Sequence, residues 1–145
     1  MNAWKTLAAA CLIAAIGASA AHAQEAWKCK MTGEWKQNSP KASGRFNWNV
    51  TWTAKEKSWM LSGRANESAG ASNLNGACNT TGGCNLSQTY TSGDMSGNTY
   101  KWRGTYTESF PSDTTSVLKF RGVWGESHED TSGTWSAQGN CTRSR

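Results

Sequence analysis

The chain has little proline and little histidine, and it carries none of the common cofactor or metal motifs. Two of its 145 residues are proline and two are histidine. No phosphate-binding glycine loop, HExxH or CxxC pattern occurs. After the N-terminal segment the one remaining histidine is His128, which falls in a short acidic turn. We therefore predict no catalytic residue, no cofactor and no bound metal.

Long apolar runs are also missing, except near the N-terminus. Residues 6–20 are small and apolar, Lys5 precedes them, and Ala21-His22-Ala23 follows with the small-x-small pattern of a cleavage site. We predict a bacterial-type signal peptide over 1–23 and a single all-β domain over 24–145. The location is then secreted or periplasmic, with no transmembrane segment.

Charge of one sign is not in large excess. Beyond residue 23, 14 Lys and Arg stand against 10 Asp and Glu, which does not call for a nucleic-acid partner. Four basic side chains share one parity of two later segments: Lys101, Arg103, Lys119 and Arg121. If those segments are neighbours, the four form one basic patch for an anionic glycan, a lipid head group or an acidic protein. The alternative is an ordinary solvated face.

Cysteine use agrees with an exported chain. Cys11 falls within the predicted signal peptide, which leaves Cys29, Cys78, Cys84 and Cys141. An even number in an exported protein favours two disulfides, and three pairings are possible. We favour Cys78–Cys84, which closes a short loop, and Cys29–Cys141, which joins the two ends of the domain. The C-x5-C spacing is a poor match to zinc ligation.

What the chain does have is a strict two-residue period. Phe46, Trp48, Val50 and Trp52 alternate with polar residues, as on a half-buried strand. We place strands at residues 27–36, 43–54, 58–66, 86–91, 99–108, 116–126 and 133–141. Seven to eight short strands with one apolar face predict a small antiparallel up-and-down β-barrel, with a two-sheet β-sandwich as the alternative.

One region breaks the pattern. Residues at about 67–98 are rich in Ser, Gly and Asn, which predicts a long loop pinned by Cys78–Cys84, with one short strand near 86–91. Such a loop is either functional or a tolerated insertion. It motivates one alternative function, that of a secreted or periplasmic inhibitor or interaction protein that presents this loop to a hydrolase.

Three of the strands share the frame apolar-x-apolar-polar-Gly-x-apolar-x-Glu-Ser. Their glycines are Gly63, Gly104 and Gly122. Glycine weakens a strand unless it permits bending or close approach. Glycines on the inward parity at one register therefore indicate coiled strands, with rings from neighbouring strands filling the space.

The same frame ends in a carboxylate each time: Glu67, Glu108 and Glu126. These three continue the inward parity, so they are candidates to line a rim and bind a ligand. Two of them at a suitable separation would serve a carboxylate-dependent glycan hydrolase, which is our second alternative. The simpler interpretation is that each marks the point where a strand meets water.

Tryptophan is abundant, with eight left after residue 23. A small barrel need not bury all of them, and exposed rings stack on sugars or line pockets. Trp27, Trp59 and Trp135 lie near predicted strand ends and are the ones we expect at a mouth. The leading prediction is an exported ligand-binding barrel for a small molecule or an envelope glycan.

The first strand resembles a known family. Residues 29–35 read Cys-Lys-Met-Thr-Gly-Glu-Trp, similar to the opening strand of avidin-type barrels, Cys-x-x-Thr-Gly-x-Trp. The resemblance covers this segment alone and implies a barrel. Gln37 stands where those barrels carry an asparagine that contacts biotin, so biotin binding is not implied.

Overall fold

The strands form one closed, up-and-down barrel. The computed structural model describes residues 25–144, so the predicted signal peptide lies outside the described residues. Within that range each strand pairs antiparallel with the next, and β8 pairs with β1. The bounds are β1 Ala26–Gln37, β2 Ala42–Ala54, β3 Ser58–Glu67, β4 Gly70–Asn79, β5 Gly83–Tyr90, β6 Thr99–Ser112, β7 Thr115–Gly125 and β8 Gly133–Arg143. The barrel prediction is confirmed, and the sandwich alternative is wrong.

Alternation in the sequence becomes inside and outside in the barrel. On β2 the aromatic and aliphatic side chains are buried while their polar neighbours are exposed. Trp48 stacks on Phe46 with ring centroids 4.9 Å apart and meets Trp135 at 5.6 Å. Trp102 and Phe120 lie within 6.1 Å of the same indole. Each large ring removes roughly 150–250 Å² from water, so this aromatic layer fills the middle of the barrel.

The repeated glycines sit where backbones approach closely. Gly104 of β6 is directly opposite Gly122 of β7. A Cβ added to Gly122 would lie 1.8 Å from the carbonyl oxygen of Arg103, and one added to Gly63 would lie 2.1 Å from that of Asn49. The backbones therefore approach closely at these glycines, which is one of the two conditions under which glycine is expected within a strand.

The region from 67 to 98 is more regular than its composition suggested. The structure contains two strands there, β4 and β5, where the sequence predicted a long loop with one short strand. The inward side chains of β4 are Ser72, Leu74 and Cys78. Serine and glycine at alternating positions give little hydrophobic contrast, so the sequence does not reveal this strand. The longest segment without strand structure in this region is the β5–β6 connection, residues 91–98.

Both predicted disulfides are present. Cys29 bonds Cys141, opposite each other across the β1–β8 pair, and Cys78 bonds Cys84 across β4 and β5. Disulfides of this kind are typical of an oxidising, extracellular or periplasmic environment. Within residues 25–144 the structure contains no helix that is long and apolar enough to cross a membrane.

The barrel has two different ends, which we name by the tryptophan of β1 nearest each. The Trp27 end carries the β2–β3, β4–β5 and β6–β7 turns. The Trp35 end carries the β1–β2 and β3–β4 turns and the longer β5–β6 and β7–β8 connections. Because the aromatic layer fills the middle, each end is a separate surface.

Candidate functional site

A pocket of about 180 Å³ opens at the Trp35 end. Its lining comes from five strands and two connections: Trp35, Gln37, Glu67, Ala69, Gln88, Tyr90, Met95, Tyr100, Trp102 and Trp124. Its size is below that of drug-sized sites, roughly 300–1,000 Å³, so it suits a small molecule. Aromatic walls with a few convergent polar groups are typical of a ligand site.

Glu67 is the ionisable group of this pocket. It is the last residue of β3, and the hydroxyl of Tyr90 donates to its Oε1. Its Oε2 is buried without a hydrogen-bond partner among the described residues. Burial raises the pKa of Glu67 to about 7, because the ionised carboxylate loses water that the pocket does not replace.

Gln88 supplies the second polar group. Its side chain is 1% exposed, and its Nε2 donates to Ser72 Oγ at 2.8 Å. Its Oε1 has no partner within residues 25–144, and neither has the indole Nε1 of Trp102, which also lines the pocket. Buried polar atoms are normally hydrogen-bonded, so unpaired atoms around one cavity indicate a place for a ligand.

The aromatic walls are held in fixed orientations. Neighbouring rings are nearly perpendicular: Trp35 to Trp124 at 80°, Trp124 to Tyr100 at 80°, and Tyr100 to Tyr90 at 89°. The indole of Trp124 donates to the carbonyl oxygen of Lys36 at 3.1 Å. These contacts fix the walls before any ligand arrives, which lowers the ordering cost of binding.

The tryptophans predicted at a mouth lie elsewhere. Trp27 is 1% exposed at the opposite end, beneath Phe110, and donates to Glu25. Trp135 is core, with its indole donating to the carbonyl oxygens of Arg103 and Val123. Trp59 is half-buried, and its ring stacks on that of Trp52, again at the Trp27 end. None of the three lines the pocket. Trp27 and Trp59 lie at the other end, and Trp135, although opposite Trp35, turns its indole to the backbone of β6 and β7.

The three repeat carboxylates are separated rather than gathered. Glu67 lines the pocket, while Glu126 is exposed just after β7 at the same end. Glu108 lies towards the Trp27 end, where burial raises its pKa and a hydrogen bond from Ser116 partly offsets the rise. Of the three, Glu67 alone lines the pocket, and within residues 25–144 no second carboxylate lines it.

Sequence reasoning missed most of the pocket: Trp35, Gln88, Tyr90, Tyr100, Trp102 and Trp124. One signal was available. Gln88 sits on the inward parity between Leu86 and Tyr90, and a polar residue on that parity is unusual. The rest depends on which strands become neighbours at one end, and a single strand's pattern does not contain that information.

The basic side chains do share one outer face. Lys101 and Arg103 lie on β6, and Lys119 and Arg121 lie on the adjacent β7, opposite Thr107 and Thr105. Lys101 donates to Ser87, and Arg103 donates to the carbonyl oxygen of Asp130 and the hydroxyl of Thr131. Half of the patch therefore anchors neighbouring segments. Lys119 and Arg121 border a wide, open groove on the outer surface.

The Cys78–Cys84 hairpin has a tight, docked tip. Asn79 Oδ1 accepts from the backbone and hydroxyl of Thr81 and from the backbone of Gly83. The backbone N–H of Tyr106 donates to the carbonyl oxygen of Gly82, which fastens the tip to β6. The tip is rigid, and its exposed side chains are small.

Comparison with known proteins gives one structural likeness. No family model and no curated protein matches the chain. Among solved structures, the crystal structure of the ywiB protein from Bacillus subtilis superposes with a TM-score of 0.49 and 5% identity. The match covers 84% of this chain and 94% of that one.

Ionisation of Glu67 should cost folding stability. Its folded-state pKa of about 7 lies above the ordinary 4.5, so the folded state holds the proton more tightly. The contribution of Glu67 to the free energy of unfolding is therefore fully present below about pH 4.5 and is lost as the pH rises through 7. The side chain of Glu67→Gln is neutral at every pH. We therefore expect its free energy of unfolding at pH 8 to exceed that of the parent by about 1–2 kcal/mol, after allowance for the partial exposure of Glu67.

Urea unfolding at pH 5 and pH 8 measures this difference. Glu129→Gln removes an exposed carboxyl from the β7–β8 connection and is the matched control, with no expected change in the pH profile. Equal unfolding free energies for parent and Glu67→Gln at both pH values would contradict the assignment.

Proposed function

We propose that the protein is an exported β-barrel that binds a small molecule in the pocket at the Trp35 end. The observation that carries this proposal is the set of buried polar atoms without partners, on Glu67, Gln88 and Trp102, around one aromatic-walled cavity. Leaving a buried polar group unpaired costs about 1–3 kcal/mol. A ligand that supplies the missing partners recovers that free energy.

Export is part of the proposal. The predicted signal peptide over 1–23 and the two disulfides support a secreted or periplasmic location. A binding protein in such a compartment meets small molecules that cross the envelope. A pocket of about 180 Å³ admits one small ligand or a single sugar ring rather than a glycan chain.

The inhibitor alternative has less support. Large aromatic and arginine side chains dominate the binding energy of most protein interfaces. The Cys78–Cys84 tip carries Asn79, Thr80, Thr81 and Gly82. A rigid hairpin of small polar residues has no such anchor, whereas the pocket has several aromatic walls.

The test is a titration of intrinsic tryptophan fluorescence with single sugars, small amines, small carboxylates and small neutral hydrophobes. Trp35, Trp102 and Trp124 line the pocket, so a ligand there changes the emission. We expect Tyr100→Ala to weaken any ligand found by about ten-fold or more, because it removes one aromatic wall.

Phe110→Ala is the matched control at the opposite end, where Phe110 is 57% exposed. It should leave the dissociation constant unchanged. The proposal fails if no compound alters the emission, or if Tyr100→Ala binds a compound as tightly as the parent does.

A further inference from the structure

Both side-chain oxygens left unpaired in the pocket are hydrogen-bond acceptors. Glu67 Oε2 stays free because the Tyr90 hydroxyl donates to Oε1 instead. Gln88 Oε1 stays free because its Nε2 is turned towards Ser72. A ligand that satisfies both must bring hydrogen-bond donors, whereas the third unpaired group of the pocket, the indole N–H of Trp102, is itself a donor.

The charge of the lining has one sign. Glu67 is the one residue with a formally charged side chain among those that line the pocket, and no Lys, Arg or His joins it there within residues 25–144. The surrounding charged and titratable groups carry both signs and belong to the outer faces or the connections: Glu34, Lys36, Lys41, Arg45, Arg64, Asp94, Lys101, Arg103, Glu126, His128, Glu129 and Asp130. Burial raises the pKa of Tyr100, and the charges of Glu126 and Glu67 raise it further, so two carboxylates act on this wall. An anionic ligand would be repelled.

The walls suit a positive charge. The face of an aromatic ring attracts a cation, and sites for ammonium groups are commonly built from several rings set around one space. Trp35, Trp124, Tyr100 and Tyr90 stand successively near right angles, with centroid separations of 5.7–5.9 Å. These four rings line the pocket from four different strands, β1, β5, β6 and β7.

We propose that the ligand is a small organic cation with an N–H donor, held by Glu67 and Gln88 inside this aromatic box. The inference rests on the proposed function and specifies its ligand class. The ammonium N–H groups donate to Glu67 Oε2 and Gln88 Oε1, and the alkyl part lies against the rings. Near neutral pH the cation stabilises the ionised form of Glu67.

The test compares 1-pentylammonium with 1-pentanol, which have the same carbon chain and both donate a hydrogen bond but differ in charge. At pH 8 an alkylammonium remains protonated, as a lysine side chain does. We expect the cation to bind about ten-fold or more tightly than the alcohol. The preference should fall by about ten-fold at pH 6, because a carboxyl with a pKa near 7 is then mostly protonated.

Glu67→Gln should reduce the preference for the cation below about three-fold, because the amide carries no charge to pair with the ammonium group. Glu129→Gln should keep the parent's preference. Gln88→Leu is a second variant, expected to weaken the cation more than the alcohol, and it keeps the test decisive if Glu67→Gln does not fold.

Equal affinities for the two probes at pH 8 would overturn the cation assignment and leave the binding pocket standing. So would a cation preference that survives in Glu67→Gln. If neither probe, and no compound in the wider panel, changes the emission, the proposed function falls as well.

Discussion

Replacing Cys29 and Cys141 together by alanine is expected to lower the free energy of unfolding by about 5 kcal/mol. The bond spans a sequence separation of 112 residues, and the loop-closure entropy that it removes from the unfolded chain grows with loop length. Single domains have stabilities of about 5–15 kcal/mol, so this loss alone brings the barrel close to unfolding.

The second disulfide provides the control. Cys78–Cys84 spans a separation of 6, for which the same relation gives about 2 kcal/mol. Both bonds join directly opposite residues of adjacent strands and are buried, so the local surroundings are comparable. Urea unfolding of the two double variants, followed by tryptophan fluorescence, should rank them in that order.

Equal losses would mean that loop length is not the deciding quantity. The result would also bear on barrel closure, because Cys29–Cys141 lies on the β1–β8 pair that joins the first strand to the last. The other end of that same pair places Trp35 opposite Trp135, and Trp35 is a wall of the pocket. A protein without this disulfide should therefore also bind the proposed ligand more weakly.

The architecture could be predicted from the sequence because every strand of a closed barrel has one face towards the interior and one face towards solvent. β2 and β7 alternate large apolar and polar residues strongly, so their inward faces could be predicted residue by residue. β4 was missed because its inward positions include Ser72 and Gly76, which give almost no hydrophobic contrast. A strand of small residues is recognisable only when the strands on both sides of it are known.

The site was harder to predict because it depends on neighbours. Glu67 was predicted to line a rim because the inward parity of β3 reaches it, and it does line the pocket; its binding role stays a prediction. Tyr90, whose hydroxyl donates to Glu67, and Gln88, which lines the same pocket, come from β5, which contacts β4 and β6 but not β3 in the strand order. Tyr90 reaches Glu67 over the intervening strand β4, and no spacing along the chain encodes that approach. The buried Trp27 shows the opposite error, since Phe110 from a distant hairpin covers it.

Gly122→Ala is expected to destabilise the barrel by about 3 kcal/mol or more. The added Cβ would lie 1.8 Å from the carbonyl oxygen of Arg103 and 2.6 Å from the Cα of Gly104, both backbone atoms of the paired strand. Backbone cannot rotate away as a side chain does, so β6 and β7 must separate. Trp135, opposite Gly122 on β8, donates to that same Arg103 carbonyl and would lose its acceptor position.

Gly83→Ala is the matched control, because the three atoms nearest its added Cβ all belong to the side chain of Asn79, the first at 3.1 Å, and none is backbone. It should cost no more than about 1 kcal/mol. Unfolding in urea separates the two variants. A Gly122→Ala barrel as stable as the Gly83→Ala barrel would show that the paired strands have room to move apart. The repeated glycine would then reflect composition rather than the close approach of β6 and β7 on which the tight aromatic interior depends.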